Sequence, residues 1–290
     1  MKAQIDQYID YKGTYTSRAV FEYARILKRF EEIVKKDITE IGPQDISKFT
    51  KELKKARLSG NSVAFNLVIV RNFFEFYQKQ GWKILNPNFI KVDRNFVVKS
   101  HNAIKPEELE RMNKIVGDDN YIDLQKKVAI NLLWDTGVRV SELCDLNVVQ
   151  LDLDNCRANI KTKKVGDSRY IFWSPETNNL LSKYMTLRNS IDSSPYLFTG
   201  NAPHSRGRRI TTRSIQRWIA ESCKKAKITR KISPHSFRHG WGHDKRDKGA
   251  PLAFIQKGLG HRNPISTFVY MKYHDKDFEK TAKKYLKKRG

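Results

Sequence analysis

The sequence predicts a mainly α-helical protein with one small β-sheet, built as a helical N-terminal domain over residues 1–95, a linker over 96–103 and a mixed α/β domain over 104–290. Three observations carry this division. Apolar residues recur at helical spacing through the N-terminal part. Around Asn86-Pro87, and from Lys91 to Asn102, that periodicity is lost and the chain reads as a connector in which Lys91, Arg94 and Lys99 are available to phosphate. Between Ala158 and Trp173 the pattern changes to short segments rich in strand-forming residues.

In the first domain, Thr16 is expected to cap a helix whose buried stripe is Val20, Tyr23, Leu27, Phe30 and Val34, with Glu31 and Glu32 set against Lys35 and Lys36. A second helix follows Gly42-Pro43 and is expected to close at Gly60. A third, marked by Val63, Leu67, Val70, Phe74 and Tyr77, ends near Gly81. A compact helical bundle is the expected result. Its solvent faces carry Arg18, Lys28, Lys48, Lys51, Lys54, Lys55 and Arg57, a surface suited to a polyanion as much as to water.

The second domain opens at Lys105-Pro106-Glu107-Glu108, where proline and early carboxylates suit a helix N-terminus. Val128 to Trp134 is apolar almost all round and predicts a buried central helix, which delivers Arg139 through the turn Asp135-Thr136-Gly137. On spacing alone Arg139 would simply pair with Glu142. A hairpin is expected from Ala158-Asn159-Ile160 and Arg169 to Trp173, joined by a basic turn that includes Lys161, Lys163 and Lys164. Ser174-Pro175 starts another helix, and Ser205-Arg206-Gly207-Arg208-Arg209 is a basic loop expected to meet phosphate. Ile215, Trp218, Ile219 and Cys223 then form an apolar helical face, so Cys223 reads as core and not as a nucleophile.

The richest chemistry lies between Pro234 and Tyr270. Pro234 suits a first helical turn behind Ser233 as N-cap, which puts His235 and Arg238 on one face of a helix running to about Lys248. After the break at Gly249 a short helix ends at Gly260 and leaves His261 just beyond it, with Tyr270 nine residues on. A guanidinium, two imidazoles and a phenol are the groups needed to hold a phosphodiester and attack it. His235, His239 and His243 recur every four residues, a spacing that also binds zinc in some enzymes. No Glu follows His235 and no third ligand type is evident, so no metal is expected, and His239 and His243 read as helix-packing residues.

Charge points the same way. Fifty-six Lys and Arg against 31 acidic residues give a net +25 over 290 residues, a balance that calls for a polyanionic partner. No apolar run approaches the ~18 residues of a membrane span, which favours nucleic acid over an anionic bilayer. Cys144, Cys156 and Cys223 form no C-x-x-C pair and are too few for a disulfide framework, and the N-terminus has no signal-peptide pattern, so a cytoplasmic, nucleoid-associated protein is expected.

The segments His235-Ser236-Phe237-Arg238-His239, Leu259-Gly260-His261 and Thr267-Phe268-Val269-Tyr270, with Thr136-Gly137-Val138-Arg139-Val140-Ser141-Glu142-Leu143 upstream, closely resemble the signature of the tyrosine recombinase (phage integrase, Xer-like) family. The resemblance is strong over residues 104 to 275 and rests on length and helical pattern before that. Gly240 stands where relatives usually have threonine, and Lys272 where many have histidine.

The resemblance implies a core-binding domain and a catalytic domain that form a C-shaped clamp on double-stranded DNA, and a site-specific recombinase or integrase that needs no cofactor. Arg139 and Arg238 would clamp the scissile phosphate, with Glu142 behind Arg139. Tyr270 would attack to give a 3′-phosphotyrosyl link, His235 would take its proton, and His261 would donate a hydrogen bond to the phosphate. A lysine on the β-turn would protonate the leaving 5′-oxygen. Lys163, 24 residues after Arg139, is the assignment, with Lys164 and Lys161 as rivals. The other two would hold the DNA backbone with Arg206, Arg208 and Arg209.

Assembly as a homotetramer or heterotetramer on two DNA sites is implied too. The tail places Phe278, Ala282, Tyr285 and Leu286 on one helical face, suited to a neighbouring protomer. The N-terminus leaves no room for a further arm-site-binding domain, which predicts a simple Xer-like architecture. A type IB topoisomerase-like nicking-closing enzyme and a catalytically silent DNA-binding protein are the alternatives.

Overall fold

The computed structural model describes residues 1–14, 17–92, 102–161 and 168–271, with Glu279 and Ala282 beyond them. The chain divides into two compact units, Met1–Lys99 and Ser100–Gly290.

Among the described residues, the first unit is a bundle of four α-helices, α1 (Lys2–Tyr11), α2 (Ser17–Val34), α3 (Pro43–Lys55) and α4 (Gly60–Gln78). Most of the stripe read from the sequence is its core, with Leu27, Phe30, Phe74 and Tyr77 fully buried beside Tyr8, Phe49 and Phe73, whereas Val20 and Tyr23 are half-buried. Tyr77 also pins α1 by donating its hydroxyl to Gln4 O at 2.7 Å. Thr16, the expected cap of α2, lies outside the described residues.

Gly60 does not close α3. The helix stops at Lys55 and ends in a Schellman turn, in which Leu58 N donates to Leu53 O and Arg57 N to Lys54 O. Arg57, not a glycine, takes the left-handed conformation, with φ of 55°. Gly60 instead begins α4, because Ser59 is the stronger cap and its side chain accepts from Ser62 N at 3.2 Å. Lys48, Lys51, Lys54 and Lys55 on α3, with Arg57 and Lys28, are exposed as the sequence suggested.

The second unit is built on α6 (Tyr121–Thr136), buried almost all round, with Leu124, Val128, Ile130, Leu132 and Leu133 in the core. Around it pack α5 (Pro106–Ile115), α7 (Val140–Cys144), α8 (Pro175–Ile191), α9 (Thr212–Lys225) and α10 (Pro234–Asp247). Cys223 is buried in the core, where burial pushes its thiol up to about 11.

The hairpin is present as β2 (Arg157–Lys161) and β3 (Ser168–Phe172), antiparallel with Ala158 opposite Ile171. A two-residue strand that the sequence did not signal, β1 (Leu151–Asp152), adds to β2 and completes a sheet of order β1-β2-β3. On β3, Arg169 and Ile171 point inward while Ser168, Tyr170 and Phe172 face out. The helix α11 (Leu252–Leu259) then ends at Gly260, whose φ of 60° is left-handed as the C-cap requires. Lys163, Lys164 and Lys272 lie outside the described residues, as does the tail except for Glu279 and Ala282, which are helical.

Candidate active site

The site is assembled at two helix ends and along one helix face. The helix α6 closes on Gly137, and Val138 and Arg139 leave it extended before α7 begins. Arg139 is thereby the residue in front of a new helix, and Glu142, one turn on, reaches back to it. Its Oε2 accepts from Arg139 N at 2.9 Å and its Oε1 from Arg139 Nη1 at 3.0 Å. The pair that spacing alone suggested does exist, yet 45% of the Arg139 side chain stays exposed and able to meet an anion.

Glu142 is itself buried and shared. Arg169, at an inward position of β3, donates Nη2 to Glu142 Oε2 at 2.8 Å and Nη1 to Oε1 at 3.2 Å. Burial alone would raise the Glu142 carboxyl, but Arg169 and then Arg139 outweigh it and hold it below its ordinary range. Arg169 was missed as a site residue in the sequence. The available signal was its place in the two-residue alternation of β3, which turns a guanidinium inward in register with Ile160.

The second guanidinium comes from α10. Arg238 is 2% exposed, donates Nη1 to Gly137 O at 2.9 Å and gives Nη2 to Leu259 O. Burial, and then the repulsion of Arg139, lower its value to about 10, so it remains charged at neutral pH but under-solvated. Arg139 Nη2 lies 3.4 Å from the next carbonyl, Gly260 O. The two arginines therefore bracket the Leu259-Gly260 turn from which His261 emerges. Among the described residues, three guanidiniums are set against one carboxylate here, which makes the cluster cationic and suited to an anion.

His261 is fixed by Thr267, whose Oγ1 is 2.9 Å from His261 Nδ1, and Thr267 is fully buried. Burial and the nearby Arg238 and Arg139 drop the imidazole from 6.5 to about 4, which makes it a neutral donor. The linkage has a definite sign. Above pH 6.5 the group is neutral whether folded or unfolded and contributes nothing. Between 6.5 and about 4 the unfolded chain takes up a proton that the folded chain refuses, so stability falls as pH falls, and the loss levels off below about 4. Titration followed by NMR should accordingly show His261 still mostly neutral at pH 5. A midpoint near 6.5 would refute the neutral assignment.

Tyr270 sits on the turn that Thr267 starts, with Tyr270 N donating to Thr267 O. It is 1% exposed, and burial pushes its phenol up to about 12. The phenol oxygen lies 2.9 Å from His239 Nδ1, the His239 ring stands edge-on to that of His235 with centroids 4.6 Å apart, and the His243 ring is 5.2 Å from that of Tyr270. His239 thus does more than pack, because its ring nitrogen meets the phenol, whereas His243 packs edge-on against the tyrosine ring. Among the described residues, no group of three or more His, Cys, Asp or Glu side chains is placed to hold a metal ion.

Gly242 makes room for the tyrosine, since a Cβ there would lie 2.5 Å from Tyr270 Cε1. Gly242→Ala should displace the ring and lower the rate of any reaction at Tyr270 by about 10²-fold, an amount typical of an ~1 Å misplacement, while ligand affinity stays within about threefold. A single-turnover rate measured beside a binding titration checks this.

Of the basic residues expected at phosphate, Lys161, Arg206 and Arg208 are exposed. Arg209 is half-buried, bonding Asp145 at 3.1 Å and lying 4.3 Å over the Tyr196 ring, with about a third of its side chain open to solvent.

Comparison with known proteins places these residues in context. Residues 102–278 match the phage integrase family, and residues 5–81 match the phage integrase N-terminal SAM-like domain. The chain is 25% identical over 273 residues to tyrosine recombinase XerC of Anoxybacillus flavithermus, covering 91% of this chain and 90% of that one. It is 24% identical over 292 residues to a tyrosine recombinase of Thermosipho africanus, covering 98% and 100%. Among solved structures, XerH site-specific recombinase bound to a palindromic difH substrate aligns with a TM-score of 0.79 at 19% identity, over 98% of this chain and 85% of that one. The Tn1549 transposon integrase in complex with a circular intermediate DNA aligns with a TM-score of 0.78 at 17% identity, over 98% of both chains.

Proposed function

The chain belongs to the phage integrase family, and on that premise we propose that it is a site-specific recombinase that cleaves and rejoins double-stranded DNA through a phosphotyrosyl intermediate on Tyr270. One observation carries the reading. Arg238 and Arg139 bond the successive carbonyls of Leu259 and Gly260, so two guanidiniums and the following His261 surround one point, with Tyr270 tied to the same turn through Thr267.

The chemistry follows from that arrangement. Phosphodiesters repel nucleophiles, and Arg139 and Arg238 would each neutralise a non-bridging oxygen and follow the charge into the transition state. An entering phosphate would also offset the repulsion between Arg238 and Arg139, which Glu142 answers only in part. Neutral His261 would add a hydrogen bond through its outer nitrogen, provided that Thr267 donates to Nδ1. The phenol, protonated at neutral pH, must give up its proton during attack, and His239 Nδ1 at 2.9 Å is placed to take it, with exposed His235 edge-on behind. The tyrosine oxygen forms a bond to phosphorus as the bond to the 5′-oxygen breaks. The link that results stores enough energy for the 5′-hydroxyl of another strand to reverse the step.

Lys163 is proposed as the acid that protonates the departing oxygen, with Lys164 as its rival. Sulfur in place of the bridging 5′-oxygen gives a leaving group that needs no proton. It should restore cleavage to Lys163→Ala to within about tenfold of the wild-type rate. Rescue confined to Lys164→Ala would move the role by one residue.

The proposed assembly is a tetramer, of this chain alone or with a second recombinase, on two DNA sites. Lys161, Arg206, Arg208 and Arg209 are proposed to hold the backbone, and the proposed location is the nucleoid. Among the described residues no helix is long and apolar enough to cross a membrane. A suicide duplex, nicked so that the short fragment carrying the new 5′-hydroxyl diffuses away, tests the reading. A denaturant-stable adduct and joining of two duplexes are expected. An adduct with relaxation but no joining would favour the topoisomerase-like alternative, and binding without an adduct the silent one.

A further inference from the structure

Arg169 occupies a position that the proposed chemistry does not yet use. It is 8% exposed and spans both carboxylate oxygens of Glu142, while its Nε donates to Gly258 O at 3.2 Å. Its guanidinium lies directly beneath the turn before His261, since a Cβ on Gly260 would approach Nη1 to 2.8 Å. Both of its neighbours therefore belong to the site: Glu142 carries Arg139, and the end of α11 carries His261. Arg169 is the second residue of β3, five and six positions after Lys164 and Lys163 in the chain.

Charge decides what this contact does. Glu142 alone beside Arg139 would cancel the charge that the phosphate needs, and a buried carboxylate facing one exposed arginine would draw that side chain away from solvent. With Arg169 present the three groups sum to +1, and Glu142 is satisfied from the buried side. We propose that Arg169 is a positioning residue for strand cleavage, which neutralises Glu142 so that the charge of Arg139 is kept for the scissile phosphate, and which ties β3 to the turn presenting His261. The inference rests on the reading of Arg139 as the phosphate clamp.

The experiment uses the full-length chain on the suicide duplex, comparing Arg169→Met, Arg169→Lys and wild type. Each is assayed on an ordinary phosphodiester and on a duplex whose scissile phosphate carries a methyl group in place of one non-bridging oxygen. The methylphosphonate lacks the negative charge that Arg139 would answer. Arg169→Met should cleave the phosphodiester about 10²-fold more slowly at saturating DNA, a loss typical of removing one oriented charge contact, with affinity changed less than about threefold. On the methylphosphonate the deficit should shrink to under about fivefold. Arg169→Lys keeps the charge but not the fork, and should fall between the two, which preserves the test should the methionine variant fold poorly.

An equal deficit on both substrates, alongside a lowered melting temperature, would make Arg169 a merely structural residue and overturn the inference. Arg169→Lys and Arg169→Met variants as fast as wild type on the phosphodiester would overturn it too. A wild-type chain that forms no adduct on either substrate overturns the functional reading itself and the inference with it.

Discussion

Replacing Tyr270 by phenylalanine is expected to remove the protein–DNA adduct entirely, a loss of more than about 10³-fold, while the affinity for a DNA site stays within about twofold. The expectation is this sharp because the substitution deletes one oxygen and little else. The ring keeps its place over Gly242 and beside His243, and what disappears is the hydrogen bond to His239. That bond is satisfied inside the protein and contributes nothing to holding DNA. Tyr273 is the control, three residues further on and outside the described residues. Tyr273→Phe should cleave at the wild-type rate, and loss of the adduct there with retention in Tyr270→Phe would put the nucleophile in the wrong frame. The readout is a denaturing gel of the suicide reaction beside a gel-shift titration.

Arg238→Ala should be nearly as damaging to the reaction and more damaging to the fold. Removing a preorganised donor from a developing phosphorane costs about 10²–10³-fold in rate, and here the donor is a desolvated cation whose value has already been lowered to about 10 by burial and Arg139. The carbonyls of Gly137 and Leu259 would lose their partners, at about 1–3 kcal/mol for each buried group left unsatisfied. Adduct formation should therefore drop by at least about 10³-fold, with a melting temperature several degrees below wild type. Arg238→Lys tests the geometry separately, because an ammonium cannot reach both carbonyls in the plane of a guanidinium. It should recover stability more than activity. A lysine variant within about threefold of the wild-type rate would show that charge alone suffices at this position.

Much of this site could be read from residues alone, because its members lie where local rules are strong. Proline at the start of α10, glycine at the ends of α6 and α11, and the apolar run of α6 fix Arg238, Arg139 and His261 through capping and burial, which are short-range effects. Long-range pairings were not legible. Nothing local to Arg169 says that it will meet Glu142, since that depends on how β3 seats against α7 and α11. His239 was read as a packing residue because its helical spacing fits packing, and its bond to Tyr270 depends on a turn 31 residues away. Gly60 shows a local rule misapplied. Glycine both ends and precedes helices, and the serine before it decided the matter by capping α4. The strand β1 is two residues long, too short to show any periodicity.

The central claim is that two guanidiniums, a neutral imidazole and Tyr270 act together on one phosphate as a strand transferase. Mapping the covalent link tests it most directly. The suicide-duplex adduct is trapped, digested with protease and nuclease, and the residue and DNA end that remain joined are identified by mass spectrometry. A peptide containing Tyr270 bonded to a 3′-phosphate is expected, with a free 5′-hydroxyl on the released fragment. A 5′-phosphate linkage, or attachment at any residue other than Tyr270, would contradict it.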